Sequence, residues 1–391
     1  MVSMEENIRP PFSTEDVLHV LNTHYGRQVQ TIEELSAELD RNFYILGTDH
    51  NEYILKVAHS SHSDAVLDLQ NSTLKHLEQS LNTFPQIILT NSNQNIVKIE
   101  GSGGQHYIVR LLKYLKGTPL VEVRPHTQEL LADIGYQLGQ LSSVMQSFDH
   151  PEKRLDYRWN SLNVLDVVSH TDGMPEEKQA IIQYFVALYK DHVIPNLDTA
   201  RHSFIHNDAN DHNILVRIES IDQLSVSGMI DFGDMVYSLT VAELAVCLAY
   251  AMMHKDHPLD TAIQVIHGYH SVFPLTNDEI AMLYALITAR LCMSVCISWY
   301  QQQNEPDNPH LSISEDSAWE LLFRLRDIHP RFAHYVFRDA CGLDANPYTE
   351  LLITWLQGQS FRSILGKPIT PKNSIILDLG IGSTELGNVD E

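Results

Sequence analysis

The spacing of apolar positions changes after residue 113. Before that point, apolar and polar residues alternate in short runs such as EYILKV, a period of two that predicts β-strands with one buried face. From residue 127 onward, apolar residues recur at positions i, i+3, i+4 and i+7, as in residues 127–148 and 176–197, which predicts amphipathic α-helices. We therefore predict an α+β protein with a small β-rich part followed by a larger, mostly helical part.

Elements of the β-rich part can be placed from their turns and apolar runs. The runs FYIL and EYILKV, joined by the turn GTDHN, predict a hairpin, and the apolar positions of residues 63–81 predict a helix after it. The segment KYLKGTPL at 113–120 contains Gly117 and Pro119, which suits a hinge at which strand character ends. We therefore predict two lobes that meet at this hinge.

The predicted boundaries follow from these changes of pattern. We expect an N-lobe at 1–113, a C-lobe at 114–366 and a tail at 367–391. In the tail, two prolines form a linker before IILDLGIGS, which predicts a strand entering a Gly-rich turn with no helix after it. The tail is therefore expected to be the start of a domain that this sequence does not contain.

Length and composition exclude several classes of protein. The 391 residues suffice for two lobes with a sizeable core, and 43% hydrophobic residues is ordinary for a globular protein. No apolar run approaches the length that spans a bilayer and no signal peptide is recognised, so we expect no membrane association. Cys247, Cys292, Cys296 and Cys341 lie in apolar helical stretches without a zinc-binding pattern, which favours buried thiols in a reducing cytoplasm.

The chain is strongly acidic, with a formal net charge of −24. This charge argues against a nucleic-acid partner, because phosphates need a basic surface. It is compatible with a cationic small substrate, such as an amine-bearing alcohol. It is equally compatible with a surface whose acidity only maintains solubility.

Two polar motifs lie in the helical part, on either side of a predicted β-hairpin. His206, Asp208 and Asn213 occur within FIHNDANDHNILV, and Asp231 follows an apolar run within MIDFGD. Between them, ILVRI, a polar stretch and VSGMI predict two strands that fold back on each other. The hairpin would bring Asp208, Asn213 and Asp231 to one end of these strands.

Oxygen-bearing side chains that converge in this way can supply a general base, Asp208, and two magnesium ligands, Asn213 and Asp231. Asp and Asn are also common in loops because they bond their own backbone, and a DFG sequence alone occurs by chance. The order of the two motifs and the hairpin-length insert favour the catalytic interpretation. We expect His206 to hold the loop by hydrogen bonds and Asp234 to support the second motif.

A nucleotide-binding region is predicted in the β-rich part. Lys56 alternates with apolar neighbours in YILKVA, which matches the strand lysine that holds nucleotide α- and β-phosphates, although such a lysine can simply face solvent. The preceding LDRNFYI lacks the glycines of a phosphate-covering loop, so Asn42 or backbone amides would make those contacts. On the following helix, we expect Gln70 to be the polar partner of Lys56, with Glu78 and Asp68 as alternatives.

Candidate acceptor-binding residues lie in the helical part. Trp159 and Asn160 could face a substrate, although a packed tryptophan with a capping asparagine is the commoner arrangement. Arg290 is a lone charge in an apolar stretch, so it is either paired within the protein or directed at a substrate carboxylate. We favour the carboxylate, which an arginine can bind through two parallel hydrogen bonds.

These residues resemble those of a known family. HNDANDHN and IDFGD, with ILKV upstream, are similar to segments of the aminoglycoside phosphotransferase and choline kinase superfamily. YILKVA, LDLQN and VRLLKYLKGTPL bring the chain closest to hydroxylysine kinase-like domains, including those fused to class III aminotransferase-like domains. The likeness covers nearly residues 15–365. It implies a two-lobed protein-kinase-like fold with Asp208 as base, Asn213 and Asp231 binding Mg²⁺, and Lys56 binding phosphate.

Two positions depart from the family pattern. Gln70 stands where many kinases have a glutamate, which puts an ion pair between Lys56 and that position in question. Asn207 replaces the commoner glycine of an H-G-D sequence, so the backbone must accommodate an asparagine there.

The sequence therefore predicts an ATP- and Mg²⁺-dependent kinase that phosphorylates a hydroxyl of an amino acid or amino alcohol. One alternative is an aminoglycoside-type phosphotransferase. An alternative of another class is a pseudokinase that binds nucleotide as an interaction module, which the intact Asp208, Asn213 and Asp231 disfavour. The resemblance also implies fusion to, or partnership with, a domain that depends on pyridoxal phosphate.

Overall fold

The computed structural model describes residues 9–37, 40–100, 106–169, 171–304 and 313–358. Contacts within the chain divide it into two compact units, residues 1–342 and residues 343–391. The predicted tail at 367–391 lies outside the described residues. The predicted boundary between two lobes after residue 113 stays a prediction.

A six-stranded antiparallel sheet forms the β-rich part of the first unit. The alternation predicted from the sequence is present, because Tyr53, Leu55 and Val57 are buried while the residues between them are partly exposed. The strands are β1 (Val29–Leu35), β2 (Arg41–Gly47), β3 (Glu52–Val57), β4 (Ile87–Ile88), β5 (Val97–Glu100) and β6 (His106–Lys113). Their order is β1-β2-β3-β6-β4, and β5 also pairs with β6.

Two helices accompany this sheet. Helix α1 (Thr14–Tyr25) begins at a capping box in which the Ser13 hydroxyl and the Asp16 carboxylate each accept a backbone N–H. Its buried side chains join one hydrophobic cluster with Phe43, Leu55 and Val109 of the sheet. Helix α2 (Asp64–Glu78), which confirms the helix predicted at 63–81, contacts β6 through residues that point away from this cluster.

Small sheets surround the two sequence motifs. Strand β7 (Thr118–Pro119) pairs with β9 (Ile214–Ser220), which forms an antiparallel hairpin with β10 (Gln223–Met229). This confirms the hairpin predicted between the motifs. Strand β8 (His202–Ile205) leads into the first motif and pairs with β11 (Val236–Leu239), which follows the second.

The rest of the described chain is helical. Helices α3 and α7 cross at very close range, because a Cβ on Gly135 would lie 1.9 Å from the Val265 carbonyl oxygen. The helices are α3 (Gln128–Met145), α4 (Val164–Val167), α5 (Glu176–His192), α6 (Thr240–Ala251), α7 (Pro258–Val272), α8 (Asn277–Asn304), α9 (Ile313–Arg326) and α10 (Pro330–Ala340). In the second unit, α11 spans Thr349–Gly358.

Helix α8 corrects one expectation from the sequence. The prediction that no apolar run is long enough to span a bilayer was wrong, because the helical stretch Asn277–Gln303 is both long enough and apolar enough to do so. In the structure, however, 89% of its apolar stretch is buried inside the protein. Its apolarity is therefore accounted for by packing against α5, α6 and α9.

Candidate active site

The first motif forms a loop between β8 and β9 in which Asp208 is held by two asparagines. Asn213 Nδ2 donates to Asp208 Oδ2 at 2.7 Å and to the Asp208 carbonyl at 2.9 Å. Asn210 Nδ2 donates to the other carboxylate oxygen at 2.9 Å. The carboxylate is therefore fixed in orientation while 22% of the side chain stays exposed.

His206 connects this loop to the second motif. Its Nδ1 accepts the backbone N–H of Asp208 at 3.2 Å, so its Nε2 carries the proton that is donated to the Ile230 carbonyl at 2.9 Å. Burial lowers the pKa of His206, which favours this neutral form. His206 lies where the sequence predicted a loop-holding residue, and its contacts are those of such a residue.

Glu243 on α6 is a functional neighbour that the sequence reasoning missed. It is 1% exposed, and its carboxylate accepts the backbone N–H of His206. Burial raises its pKa to about 7. The sequence feature that could have identified Glu243 is its place as an acidic residue in an otherwise apolar helix, because a buried carboxylate needs a hydrogen-bond partner.

Asn207 accommodates its place in the loop through a left-handed backbone, with φ 66°. Asparagine tolerates this region better than other residues with a Cβ atom, which explains how it replaces the glycine of the family pattern. Its side chain also donates to the carbonyls of Trp159 at 3.3 Å and Asp234 at 3.1 Å. Asn207 thereby connects the loop of the first motif with the segments of Trp159 and Asp234.

The hairpin brings Asp231 next to the first motif. The Ile230 N–H donates to the Asn213 carbonyl at 2.9 Å, and Asp231 follows with a left-handed φ of 64°. Lys56 Nζ lies 3.5 Å from Asp231 Oδ1, and this lysine lowers the pKa of Asp231. Asp208, Asn213, Asp231 and Lys56 are therefore brought to one place.

The donor set of Asn213 and Asp231 fits a magnesium ion. The amide nitrogen of Asn213 is used by Asp208, which leaves its Oδ1 available, and 48% of the Asp231 side chain is exposed. Mg²⁺ in nucleotide sites is bound by one or two such oxygen ligands together with substrate phosphates. Among the described residues, no group of three or more His, Cys, Asp or Glu could hold a metal by itself.

The predicted nucleotide-binding residues divide into two groups. Asn42 pairs directly with Lys56 across β2 and β3, so both point to the same face of the sheet, on which Lys56 contacts Asp231. Among the described residues no hydrogen bond joins Gln70 to Lys56; the Gln70 Oε1 accepts from Arg110, and Lys56 pairs with Asp231. The expectation that Gln70 is the partner of Lys56 was therefore wrong, and Asp231 takes that place.

Arg290 lies beside the Asp208 carboxylate. Its Nη2 is 3.5 Å from Asp208 Oδ1, and its guanidinium stacks 4.5 Å from the Trp159 ring centroid. It also donates to the Trp159 carbonyl and the Tyr250 hydroxyl, each at 3.4 Å. With 5% of its side chain exposed, Arg290 is paired within the protein, which was the other interpretation open from the sequence.

Trp159 therefore lies near Asp208, whereas Asn160 does not face the site. Asn160 is fully buried, its Oδ1 caps a short helical turn at Leu162, and its Nδ2 donates to the Tyr237 carbonyl. Of the two interpretations open from the sequence, the structure shows the capping asparagine and not the substrate contact, because the amide is used within the protein.

Burial raises the pKa of Asp208 to about 7, and the Asp234 carboxylate acts in the same direction while Arg290 opposes it. Asp234 itself accepts a hydrogen bond from the Tyr157 hydroxyl. A carboxylate with this pKa can accept a proton near neutral pH.

A cavity of about 320 Å³ lies along the segment that leads to Trp159. Asp156, Arg158 and Asp166 line it together with Ile297 and Tyr300 of α8. Trp159 follows Arg158 in the chain, and Arg290 lies seven residues before Ile297 on α8; these two residues contact each other, and Arg290 also contacts Asp208. Charges of both signs therefore line this cavity.

Comparisons with known proteins agree with this geometry. Residues 31–276 match the profile described as the phosphotransferase enzyme family. The chain is 32% identical to the hydroxylysine kinase of Danio rerio over 334 residues, which cover 82% of this chain and 93% of that protein. It is also 32% identical to the hydroxylysine kinase of Xenopus laevis over 345 residues, 82% of this chain and 92% of that protein.

Solved structures share the fold at low sequence identity. An amicoumacin kinase complexed with AMP-PNP, Ca²⁺ and Ami has a TM-score of 0.60 and 13% identity, over 87% of this chain and 97% of that one. A microcompartment-associated aminopropanol kinase has a TM-score of 0.59 and 16% identity, over 85% and 100% of the two chains. These likenesses confirm the predicted α+β kinase-like fold.

Proposed function

We propose that this chain, which belongs to the phosphotransferase enzyme family, transfers the γ-phosphoryl group of ATP to a hydroxyl of an amino acid or amino alcohol. The observation that carries this proposal is the convergence of Asp208, Asn213, Asp231 and Lys56 at one end of the β9–β10 hairpin. Relatives that are named hydroxylysine kinases align with most of the chain, which supports a hydroxylated amino acid as the acceptor.

In the reaction, the acceptor oxygen forms a bond to the γ-phosphorus while the bond from that phosphorus to the ADP oxygen breaks. Asp208 orients the hydroxyl and takes its proton, and Asn210 and Asn213 keep the carboxylate aimed during this step. Lys56 holds the phosphates of the nucleotide. Asn213 and Asp231 would hold Mg²⁺, which neutralises charge on the phosphates when it is bound.

The activity is tested by a turnover screen with ATP and Mg²⁺ over three classes of acceptor. We expect hydroxy-amino acids such as 5-hydroxylysine to have the highest kcat/KM, amino alcohols to be slower, and kanamycin-type aminoglycosides to be slower still. Faster turnover of an aminoglycoside than of every hydroxy-amino acid would favour the antibiotic-modifying alternative. Tight ATP binding without turnover of any acceptor would instead favour the pseudokinase.

We propose that the α-ammonium and α-carboxylate groups of the acceptor bind in the charged cavity. Arg290 is occupied with Asp208, so it is not the residue that we propose for the acceptor carboxylate. Arg158 is exposed at the cavity and can bind a carboxylate, while the exposed Asp156 can bind an ammonium group. An amino acid carries both groups, whereas an amino alcohol carries only the second.

Replacing Arg158 with Ala should raise the KM for a hydroxy-amino acid by about tenfold, which is the effect of losing one charged hydrogen bond. The KM for an amino alcohol without a carboxylate and the KM for ATP should change little. Steady-state kinetics with both acceptors decide this, with Arg217→Ala on the exposed side of β9 as the control. An equal loss with both acceptors would contradict carboxylate binding by Arg158.

A further inference from the structure

Three polar side chains form a row across the sheet beside the active site. Asn42 on β2 pairs with Lys56 on β3, and Lys56 pairs in turn with Arg110 on β6. Residues paired in this way point to the same face, with Cβ atoms about 5 Å apart. The opposite face carries the cluster with Leu55 and Val109, so the row lies on the side of α2 and Asp231.

Arg110 is buried, yet its hydrogen-bond partners are neutral. It is 5% exposed, and its guanidinium donates to Asn71 Oδ1 at 3.1 Å and to Gln70 Oε1. Among the described residues it forms no ion pair with a carboxylate. The Asp40 and Asp231 carboxylates act on it only at longer range, since neither contacts the guanidinium, and their own contacts are with His62 and Lys56.

Burying a cation that has only amide partners costs desolvation free energy. Such a residue is expected where a bound anion benefits from its charge. Lys56, the neighbour of Arg110 in the row, lies at the position of the phosphate-binding lysine. The guanidinium of Arg110, one strand away from Lys56 in a poorly solvated part of the sheet, would attract the nucleotide phosphates through its charge without a direct contact. A carboxylate on α2 would cancel that attraction, whereas Gln70 and Asn71 fix the guanidinium and leave its charge intact.

We infer that Arg110 is a second cation of the nucleotide phosphate site, a positioning residue that acts on the phosphates together with Lys56 and is held by the amides of Gln70 and Asn71. The inference rests on the proposed phosphotransfer from ATP. The inference gives a role to Gln70, which stands where many kinases have a glutamate. The neutral side chain there keeps the buried positive charge available to the nucleotide.

The variant Gln70→Glu tests this with almost no change of shape. It keeps a hydrogen-bond acceptor for Arg110 but adds a counter-ion, so we expect the Kd for Mg-ATP to rise about tenfold, a Coulomb effect of the size expected for charges several ångströms apart at a partly buried site. The Kd for Mg-ADP should rise less and the Kd for adenosine should not change. Isothermal titration calorimetry measures all three, and Gln223→Glu, at an exposed position of β10, is the matched control for the added charge.

Arg110→Met and Arg110→Lys complete the test. Loss of the charge in Arg110→Met should weaken ATP more than adenosine, and Arg110→Lys should restore part of the difference. A purely structural role predicts equal losses for all three ligands and full ATP affinity in Gln70→Glu, and either result would overturn the inference while leaving the phosphotransfer proposal intact. Absence of ATP binding by the unmodified protein would overturn both.

Discussion

Asp208→Asn is expected to lower turnover by about a hundredfold or more, as for loss of a general base, while the affinity for Mg-ATP stays close to that of the unmodified protein. An amide has nearly the shape of the carboxylate but cannot accept the proton of the acceptor hydroxyl. Because Asn210 and Asn213 both donate to Asp208, the new amide group also loses one of these hydrogen bonds. We expect a stability cost of about 1–3 kcal/mol from this mismatch.

Single-turnover kinetics, ATP titration and thermal unfolding separate these effects. The control is Asp222→Asn, at the exposed turn of the β9–β10 hairpin, which removes the same charge away from the site. Turnover within a few-fold of the unmodified protein would show that Asp208 is not the base. Loss of both folding and ATP binding would show that its main contribution is to the loop.

Asp231→Asn is expected to remove the enhancement of ATP binding by Mg²⁺. The metal would lose its carboxylate ligand, and few protein groups remain to replace it in a site of two oxygen donors. Asparagine is the preferred substitution because it tolerates the left-handed φ of 64° at this position. Alanine would add a strain of about 1 kcal/mol to the same loss.

Calorimetry with Mg-ATP and with ATP in the presence of a chelator gives the measurement. In the unmodified protein the two affinities should differ strongly, and in Asp231→Asn they should become similar. An unchanged affinity for Mg-ATP would reduce Asp231 to a loop residue that pairs with Lys56. Asp234→Asn is not a suitable control, because Asp234 lies beside the catalytic carboxylate, so Asp222→Asn serves here as well.

The parts of the site that were predictable are those set by local sequence. The hairpin between the motifs follows from two alternating runs and a polar turn, and it fixes Asp208, Asn213 and Asp231 at one end without further information. The sequence showed that the backbone must accommodate an asparagine at position 207 in place of a glycine, and the left-handed φ there is how it does so. Each of these features depends on residues within a short stretch of chain.

The features that were missed depend on which distant segments meet. Gln70 was expected to reach Lys56, but sheet order places Arg110 on the strand next to Lys56, and that side chain takes the amide. Glu243 is bonded to the loop of His206 from another element of the fold. Periodicity predicts the buried face of a helix but does not reveal the partner that covers it.

Helix α8 connects Asp208, the proposed base, with the charged cavity, since Arg290 contacts Asp208 and Ile297 lines the cavity. Residues seven apart share one face of a helix at an axial separation of about 10 Å. An acceptor whose hydroxyl lies at Asp208 and whose charged end lies in the cavity must therefore extend over several bonds. The helix would thereby set a minimum length for the acceptor molecule. Serine is too short to place its hydroxyl at Asp208 and its charged groups in the cavity, whereas a molecule with a side chain as long as that of lysine spans more of this distance.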